Sequence, residues 1–333
     1  MDTNNIKKRI PSHLENIPKF TISIPAYRKV DLLKDAVHSC LSQTYRDFEL
    51  LIIDDCAEGN DIFDFLQELH DPRICYYQNM HNTGMVDNWN RCFSMARTEW
   101  VVLLHDDDLL YPDSLEKYDH LIRLNPNTDC FFAMGQRVRL GNDVSYVRHS
   151  DTATVQKLRN IDMLLGNITG TCCGSCFNRK RVLEIGGFDN KYYPTHDYAF
   201  GIKAVKNAKC IRISNFPLVV GRIGENTTMK PGVLENILKQ DLILRRNICS
   251  QYNTVFKMLF NYITDYTHAM LAKGLSMDFD PHFDTEAYLK NQSIDSKRNV
   301  LWGGGKKLAS AIVCRIIKYT SKIAKQKIET NNG

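Results

Sequence analysis

The sequence predicts an α/β fold in which a mostly parallel central sheet is covered by helices on both faces. Apolar runs of strand length alternate with segments of helical periodicity through the first 125 residues. Such alternation is typical of parallel sheets that are buried on both sides. Several of these apolar runs also end abruptly in polar or acidic residues. In sheets of this kind, ligands bind beyond the carboxyl ends of the strands, so the polar ends mark a candidate site.

The elements follow one another in regular order. Residues 1–19 are polar and interrupted by two prolines, which predicts a loose lead-in. The first strand is predicted at residues 20–25 (FTISIP), ending at Pro25 because proline cannot extend a hydrogen-bonded ladder. Residues 48–55 (FELLIIDD) predict a second, fully buried strand that ends in two acids. The other predicted elements of this half are helices at 31–43, 62–69, 88–96 and 113–124 and strands at 74–78 and from 100 onward.

The bulk composition is ordinary for a globular protein, with 333 residues, 43% of them hydrophobic and 24% charged. This length holds one large α/β domain with an appendage, or two domains. A formal net charge of +5 is mild for the length and gives no reason to expect a nucleic-acid partner. No run reaches the roughly 18 apolar residues of a membrane span, and the N-terminus lacks the apolar core of a secretory signal. We therefore expect a cytoplasmic protein.

The 11 cysteines do not frame short loops. An odd number of cysteines in a chain without an export signal favours free, mostly buried thiols. Cys173 and Cys176 are separated by two residues, a spacing found in metal and redox sites, and Cys172 stands beside them. The sequence offers no second pair of ligands at zinc-like spacing. The spacing alone therefore assigns no site.

The most informative segment is residues 100–108 (WVVLLHDDD), an apolar run that ends in three consecutive carboxylates. Like charges at the end of a buried strand repel one another and lose hydration, which is unfavourable unless a cation or solvent compensates. Carboxylate oxygens are hard ligands suited to Mg²⁺ or Mn²⁺, ions that commonly bridge protein to substrate phosphates. An ordinary acidic loop is the alternative. Neither glycine-rich phosphate-binding motif occurs in the chain, so a bound nucleotide would need a metal to neutralise its phosphates.

Six segments resemble, in order and spacing, the family 2 glycosyltransferases. They are residues 23–27 (SIPAY), 41–50 (LSQTYRDFEL), 53–55 (IDD), 82–84 (NTG), 104–108 (LHDDD) and 186–189 (GGFD). The likeness extends over about residues 20–228 and is specific for the superfamily but not for the sugar. It implies the GT-A fold, a nucleotide-diphosphate sugar donor, a divalent cation (Mn²⁺ or Mg²⁺) and inversion at the anomeric carbon, in an enzyme of the bacterial surface-polysaccharide type.

By this resemblance, Asp55 accepts a hydrogen bond from the nucleobase. An ionised carboxylate only accepts, so it suits the ring N–H of uracil, thymine or guanine but not cytosine. A UDP-sugar is the favoured donor. Pro25 and Tyr27 correspond to the donor edge, with Tyr27 packing beside the base, and Asn88 is a further donor-binding candidate. The alternatives are a sheet-edge aromatic for Tyr27, an acidic turn for Asp55 and helix capping for Asn88.

The family's Asp-x-Asp motif, aligned on Pro112, falls on His105 and Asp107. The resemblance assigns the metal to Asp107, and contact with the ribose or diphosphate to Asp106. His105 departs from the pattern. It is either a ligand for Mn²⁺ through its imidazole or a residue that packs behind the site.

Asp197 corresponds to the acid that relatives place at the start of a helix, here predicted over 198–207, as the catalytic base. Such a base removes the acceptor's hydroxyl proton as the oxygen attacks the anomeric carbon opposite the departing diphosphate. His196 stands where many relatives carry Glu or another acid. A helix N-cap is the alternative role for Asp197. Residues 170–175 resemble the loop that borders the acceptor, and residues 222–228 resemble the segment that closes over donor and metal.

The pattern is largely helical after residue 231. It divides the chain into the lead-in (1–19), a nucleotide-sugar transferase domain (20–230) and a helical C-terminal region (231–333). Residues 301–328 mix apolar and basic side chains, which predicts a basic amphipathic helix. Such helices lie on anionic membranes, which suits a peripheral protein at the cytoplasmic face of the inner membrane. A solvated basic face packed on the core is the alternative.

The sequence therefore predicts a metal-dependent inverting glycosyltransferase that moves a sugar to a hydroxyl of a glycan or lipid-linked acceptor, in surface polysaccharide or lipopolysaccharide synthesis. Two alternatives stay open. A sugar nucleotidyltransferase has related sheet architecture and metal chemistry, but usually carries a glycine-rich loop with Arg and Lys after the first strand, where this chain has residues 25–29 (PAYRK). A non-catalytic sugar- or nucleotide-binding module keeps the site without turnover.

Overall fold

The structure, a computed structural model, describes residues 6–56, 58–148, 150–224, 232–294, 314, 315, 317, 321 and 323–328. The strands are β1 Ile6–Ile10, β2 Phe20–Ala26, β3 Phe48–Asp54, β4 Ile74–Asn79, β5 Trp100–Leu103, β6 Leu109–Leu110, β7 Cys130–Phe132, β8 Gln136–Arg139, β9 Thr152–Lys157, β10 Ser175–Asn178, β11 Cys210–Ser214, β12 Val219–Ile223 and β13 Ile323–Lys327. The helices are α1 Val30–Leu41, α2 Asp61–Glu68, α3 Met85–Met95, α4 Ser114–Leu124, α5 Arg179–Glu184, α6 His196–Asn207, α7 Val233–Cys249, α8 Thr254–Phe279 and α9 Thr285–Asn291.

Ten of these strands form one sheet, in the order β1-β4-β3-β2-β5-β10-β7-β11-β9-β13. Strands β4, β3, β2 and β5 are parallel, and α1, α2 and α3 make the crossovers between them. Beyond β5 the directions mix, because β10 runs antiparallel to both β5 and β7. The predicted α/β fold is confirmed. Its sheet is parallel in the first half and mixed overall, with β6, β12 and β8 forming a small second sheet.

Both faces of the sheet are buried, as the continuous apolar runs predict. In β3, Leu50 and Ile52 belong to an apolar cluster that includes side chains of α1, α2 and α4. The alternate residues Leu51 and Ile53 belong to a second cluster with side chains of α3, α6, α7 and α8. Because successive side chains of a strand point to opposite faces, one strand supports both layers. Each such fully buried aliphatic side chain contributes about 1.5–3 kcal/mol to folding.

The predicted loose lead-in is wrong for Ile6–Ile10, which form β1 antiparallel to β4. Without this strand, β4 would leave a row of unpaired backbone N–H and C=O groups at the sheet edge. Lys8 of β1 lies 4.6 Å from the ring centre of Phe63 and donates to Asn60 Oδ1 at 2.6 Å. Three of the five residues of β1 are basic, so the sequence has no apolar run that would predict a strand here. The strand forms because its backbone pairs with β4.

Strand β2 continues through Pro25 to Ala26, so the strand end predicted at the proline is wrong by one residue. Leu104 N donates to Ser23 O at 2.9 Å. Backbone polar groups alternate sides along a strand, so Pro25, two residues on, also faces the β5 side. Strand β5 ends at Leu103, opposite Ser23. The missing N–H of Pro25 therefore removes no ladder bond.

The C-terminal region begins with the three helices α7, α8 and α9, consistent with the helical pattern after residue 231. Ile248 of α7 and Ile263 of α8 lie in the same apolar cluster as Phe132 of β7, so these helices share one hydrophobic core with the sheet. None of the helices in the described part of the chain combines the length and apolar character needed to cross a membrane.

The predicted basic helix at 301–328 falls mostly outside the described residues. For its final segment the helix prediction is wrong, because Ile323–Lys327 forms β13, antiparallel to β9. Strand β9 pairs with β11 on one side and with β13 on the other, so β13 covers an edge of β9 that would otherwise be unpaired. Ile328, directly after this strand, is 1% exposed. Contact of the remaining basic segment with a membrane stays a prediction.

A buried charge network joins α7 to its neighbours. The Arg245 side chain is 2% exposed, and its NH2 and Nε groups donate to Asp241 Oδ1 at 2.9 and 3.1 Å. Its NH1 group donates to Leu164 O at 3.2 Å and to Thr267 Oγ1 at 2.8 Å. Asp241 Oδ2 lies 2.8 Å from His268 Nδ1. The network therefore connects α7 with α8 and with the segment that precedes the loop at 170–175.

We expect Asp241→Asn to lower the free energy of unfolding by about 3–5 kcal/mol, because it leaves the Arg245 guanidinium buried without its counter-charge. Thermal and urea denaturation measure the loss. Glu235→Gln on the same helix is the control, since its exposed pair with Lys239 (2.7 Å) is worth less than about 1 kcal/mol. Small and equal losses in both variants would contradict a stabilising role for the network.

Candidate active site

The carboxyl ends of β2, β3 and β5 meet at one edge of the sheet, as the sequence predicts. Asp55 N, just after β3, donates to Ala26 O at the end of β2 at 2.9 Å. Tyr27 N, just after β2, donates to Asp106 Oδ2 in the loop after β5 at 2.9 Å. The polar residues that follow the three strands are therefore connected by hydrogen bonds rather than merely close in the topology.

Asp106 and Asp107 form the partly exposed part of the loop after β5. Burial, reinforced by the charge of Asp107, raises the pKa of Asp106 to about 7. Lys29 Nζ lies 2.5 Å from Asp107 Oδ2. Burial acts to lower the pKa of Lys29, but the contact with Asp107 and the neighbouring acids outweigh it and the net shift is upward. These crowded oxygens already favour a cation at Asp107, so the residues present fit a divalent metal.

Arg222 holds the acidic loop in place. Its side chain is 7% exposed. The guanidinium donates to Asp107 O at 2.5 Å, to Asp35 Oδ2 at 2.6 Å and to Leu32 O at 2.8 Å. Its backbone N–H donates to Asp108 Oδ1 at 2.8 Å. The loop is therefore clamped between β12 and α1, and the rest of the predicted closing segment, from residue 225, lies outside the described residues.

Asp55 accepts four hydrogen bonds from its own chain. Oδ1 accepts from Asn79 Nδ2 at 2.7 Å and from both Thr83 N and Thr83 Oγ1 at 2.8 Å, and Oδ2 accepts from Gly84 N at 2.9 Å. The 3%-exposed carboxylate thus orders the turn at 82–84. A nucleobase N–H that approaches Asp55 has to share or replace one of these contacts.

Two asparagines of α3 serve the fold. Asn88 is 3% exposed and donates from Nδ2 to Ile53 O at 3.0 Å, so it ties α3 to β3 and presents little surface to a donor. Asn90 Nδ2 donates to Phe188 O at 3.0 Å, and Phe188 N donates back to Asn90 Oδ1 at 2.8 Å. A Cβ at Gly187, where φ is +51°, would lie 2.3 Å from Asn90 Oδ1. Only glycine allows this approach.

Trp89, between these asparagines, contacts both sides of the predicted site. Its ring centre lies 4.7 Å from that of His105 and 4.7 Å from that of His196. His105 directly precedes the acids at 106–108, and His196 directly precedes Asp197. One buried indole therefore brings the predicted donor side and the predicted base together.

His196 is 4% exposed, and no described residue hydrogen-bonds to either of its ring nitrogens. Burial, together with repulsion from His105, lowers its pKa to about 4, so the ring is neutral at pH 7. A buried polar ring without a partner is unfavourable unless water or a ligand satisfies it. The ring packs on Trp89 and Tyr193, which fixes the start of α6 directly before Asp197.

Asp197 is the second residue of α6, and the N-cap position falls on Thr195, so the alternative role as helix cap is wrong. Asp197 Oδ1 accepts from Tyr198 N at 2.7 Å and Oδ2 accepts from Asn167 Nδ2 at 3.0 Å. Burial raises the pKa of the carboxyl to about 6, against the effect of these hydrogen bonds. Asn167 Nδ2 also donates to Gly170 O at 3.0 Å, which connects Asp197 to the loop at 170–175.

Three residues of the site carry little signal in the sequence. Lys29, Arg222 and Asn167 meet their partners across long stretches of chain, so no local motif contains them. Only the positions of Lys29 and Arg222 in the sequence could have indicated them. Lys29 lies just after the end of the first predicted strand, and Arg222 is the first residue of the predicted closing segment. Asn167 lies just before the small-residue loop at 170–175, where a hydrogen-bonding partner for Asp197 has no distinctive pattern.

A sheet of this topology, with an acidic loop and a helix-borne carboxylate at one edge, is the GT-A class of fold found in glycosyltransferases. Residues 21–186 match the family model described as Glycosyl transferase family 2. This part of the chain is therefore a family 2 glycosyltransferase domain.

One relative is WcaA of Escherichia coli K12, described as a colanic acid biosynthesis glycosyl transferase. It is 30% identical over 106 residues, which are 32% of this chain and 38% of WcaA. Other bacterial proteins described as glycosyltransferases are 23–25% identical, and the chain spans between 31% and 62% of their length.

Two solved structures share the fold. Residues 1–349 of TarS from S. aureus, in complex with UDP-GlcNAc, align with a TM-score of 0.60 and 15% identity, covering 82% of this chain and 79% of that chain. The mannosyltransferase PcManGT from Pyrobaculum calidifontis, in complex with GDP-Man and Mn²⁺, aligns with a TM-score of 0.51 and 15% identity, covering 92% of this chain and 89% of that chain. At this identity the likeness establishes the fold alone.

We expect Asn167→Ala to raise the pKa of Asp197 further, by about one unit, because the variant removes a hydrogen bond that stabilises the charged carboxylate. Carbon-13 NMR titration of the carboxyl, assigned through Asp197→Asn, measures the shift. Asn207→Ala at the other end of α6 is the control and should leave the pKa unchanged. An unaltered pKa in Asn167→Ala would contradict the contact.

Proposed function

We propose that the protein is a metal-dependent, inverting glycosyltransferase that moves a sugar from a nucleotide-diphosphate sugar to a hydroxyl of a glycan or lipid-linked acceptor. The contact of Trp89 with both His105 and His196 carries this proposal. It brings the acids that suit a metal and a diphosphate into the same site as Asp197, which suits a base. The family 2 domain at residues 21–186 supports the reaction class.

The residues proposed to contact the nucleotide of the donor are Tyr27, Asp55 and Asp106. Tyr27 is 40% exposed, and the Arg28 guanidinium lies 5.0 Å from its ring centre. An accessible aromatic ring beside a cation suits a base and its phosphates. Asp55 favours nucleobases with a ring N–H, and both UDP-GlcNAc in TarS and GDP-Man in PcManGT carry such a base. A UDP-sugar is the preferred donor in this proposal.

Asp107 is the proposed ligand for Mn²⁺ or Mg²⁺, with Asp106 in contact with the ribose or diphosphate. The Mn²⁺ in PcManGT supports a divalent cation in this fold. Bound at this loop, the cation supplies positive charge to the departing diphosphate. Asp107 would hold the cation, and the Lys29 ammonium, which contacts Asp107 Oδ2 at 2.5 Å, would supply a second positive charge beside the diphosphate.

Asp197 is the proposed base. Its carboxylate accepts the proton of the acceptor hydroxyl while that oxygen forms a bond to the anomeric carbon. The bond from this carbon to the diphosphate oxygen breaks on the opposite side, and its electron pair leaves with the nucleoside diphosphate. A single displacement of this kind inverts the configuration. With a pKa of about 6, Asp197 is mostly deprotonated at pH 7, and its pKa is close enough to that pH for the carboxylate to act as a base.

The acceptor side is formed by the loop at 170–175, which Asn167 connects to Asp197. Gly170 and Thr171 are the accessible residues of this loop, so the proposed contact with the acceptor lies there. A role in surface polysaccharide or lipopolysaccharide synthesis is proposed, supported by the similarity to WcaA, which is described as acting in colanic acid biosynthesis.

The two alternatives fit the geometry less well. A sugar nucleotidyltransferase usually carries a glycine-rich loop after the first strand, whereas the residues at the end of β2 and just after it in this protein (25–29, PAYRK) contain no glycine. A non-catalytic binding module needs no base, whereas this protein places the Asp197 carboxyl, held by Asn167, beside the predicted acceptor loop. Assays of glycosyl transfer and of nucleotidyl transfer distinguish the two enzymes, and a non-catalytic module shows neither activity.

For donor binding, we expect UDP-sugars to raise the melting temperature in Mn²⁺, and CDP-sugars to raise it less, because cytosine has no ring N–H to donate to Asp55. At a ligand concentration 100 times Kd, the stabilisation is about 2.7 kcal/mol. Differential scanning fluorimetry with a panel of nucleotide sugars measures it. Asp107→Ala should lose the Mn²⁺-dependent shift, and Asp61→Ala on α2 should keep it. An unchanged shift for Asp107→Ala, with or without EDTA, would refute the metal assignment.

For catalysis, we expect Asp197→Asn to reduce turnover by roughly 10²–10⁴-fold and to leave the donor-induced melting shift unchanged. The wild-type rate should fall as the pH drops through about 6, because the base must be deprotonated. Release of nucleoside diphosphate in the presence of an acceptor glycan measures both effects. Glu184→Gln, an exposed acid on α5, is the control. Normal turnover in Asp197→Asn would place the base elsewhere.

A further inference from the structure

The pairing of β10 with β5 places a cysteine beside the acidic loop. Ser175 lies opposite Leu103 in this antiparallel pair. Continued by two residues, the register sets Cys173 opposite His105, and His105 N donates to Cys173 Sγ at 3.3 Å. Cys176 lies within β10, opposite Val102, so the Cys-x-x-Cys spacing noted in the sequence does not form a ligand pair. The partners of Cys173 come from the loop that follows β5.

Three potential ligand atoms converge there. Cys173 Sγ lies 3.0 Å from Asp108 Oδ2, and His105 Nδ1 lies 3.5 Å from the same oxygen. One ligand atom from each of the three residues lies within 4.8 Å of the others. Around a tetrahedral ion with bonds of about 2.0–2.3 Å, neighbouring ligands are about 3.3–3.6 Å apart. The three groups therefore need little movement to share one ion.

The surroundings hold these groups in orientation. Asp108 and Cys173 are 7% and 6% exposed, more buried than Asp107. Asp108 Oδ1 accepts from Arg222 N at 2.8 Å, which leaves Oδ2 for the shared position. The His105 ring packs on Trp89, with centroids 4.7 Å apart. Partners that fix ligand orientation in this way raise metal affinity.

We propose that His105, Asp108 and Cys173 form a second cation site, distinct from Asp107, which takes a borderline first-row transition ion such as Zn²⁺ or Co²⁺ without a nucleotide. A set of one nitrogen, one oxygen and one sulfur ligand favours such ions over Mg²⁺, which prefers oxygen alone. Coordination displaces the thiol proton of Cys173 to solvent, since a metal-bound thiol is deprotonated. The inference goes beyond the proposed glycosyl transfer and does not depend on it.

The test is a Co²⁺ titration of the full-length protein without nucleotide, followed by thiolate-to-cobalt charge-transfer absorption in the near ultraviolet. We expect one equivalent to bind, and Zn²⁺ to displace it. Cys173→Ser should abolish the band, and His105→Ala should weaken binding at least about 10–100-fold, the range that loss of outer partners alone produces. Cys172→Ser, an adjacent buried thiol, is the matched control and should keep the band. Circular dichroism checks that each variant is folded.

Several results would overturn the site: no charge-transfer band in the wild type, a band that survives Cys173→Ser, or a band lost in Asp107→Ala. The last would place the ion at the donor carboxylates instead. A band that persists in Asp107→Ala while the Mn²⁺-dependent donor shift disappears supports two separate sites. Failure of the donor-binding prediction with the cobalt band intact would reject the proposed function and leave this site standing.

Discussion

Three adjacent carboxylates end a buried strand, and the way their charge is compensated organises the candidate site. Asp106 accepts a backbone N–H from Tyr27, Asp107 faces the ammonium of Lys29, and Asp108 accepts from a backbone N–H and a thiol. Because only Asp107 has a charged partner among these contacts, the three acids differ in how their negative charge is compensated. Asp107 is paired with the partly exposed Lys29 and is the acid proposed to hold the donor-associated cation, whereas Asp108 is the most buried of the three.

Helix α3 joins the parts of the site through three consecutive side chains. Asn88 binds the end of β3, Trp89 contacts both histidines, and Asn90 binds the backbone of Phe188 beside Gly187. Successive helical residues point about 100° apart, so one turn reaches three different elements. A displacement of this turn would move the donor edge and the segment before Asp197 together.

Local patterns predicted most of the parallel half of the fold, because each buried strand and helix there carries its own periodicity. The convergence of Tyr27, Asp55 and the acidic loop also followed from the sequence, since parallel strands end at one edge. Contacts between residues far apart in the chain could not be predicted from the sequence. Cys173 contacts His105 only because β10 pairs with β5 in a particular register. Lys29 and Asp107, which form a salt bridge, are 78 residues apart. The strand β1 was hidden for a related reason, as its lysines give no apolar signal.

The outermost strands of the large sheet come from opposite ends of the chain, β1 at one border and β13 at the other. Both are rich in lysine, with sequences IKKRI and IAKQK, whereas β4 beneath β1 is the apolar ICYYQN. Exposed lysines discourage the stacking of one sheet border on another. Removal of Ile6–Ile10 would expose the unpaired backbone of β4 to association with other molecules, so this short basic strand protects the solubility of the protein.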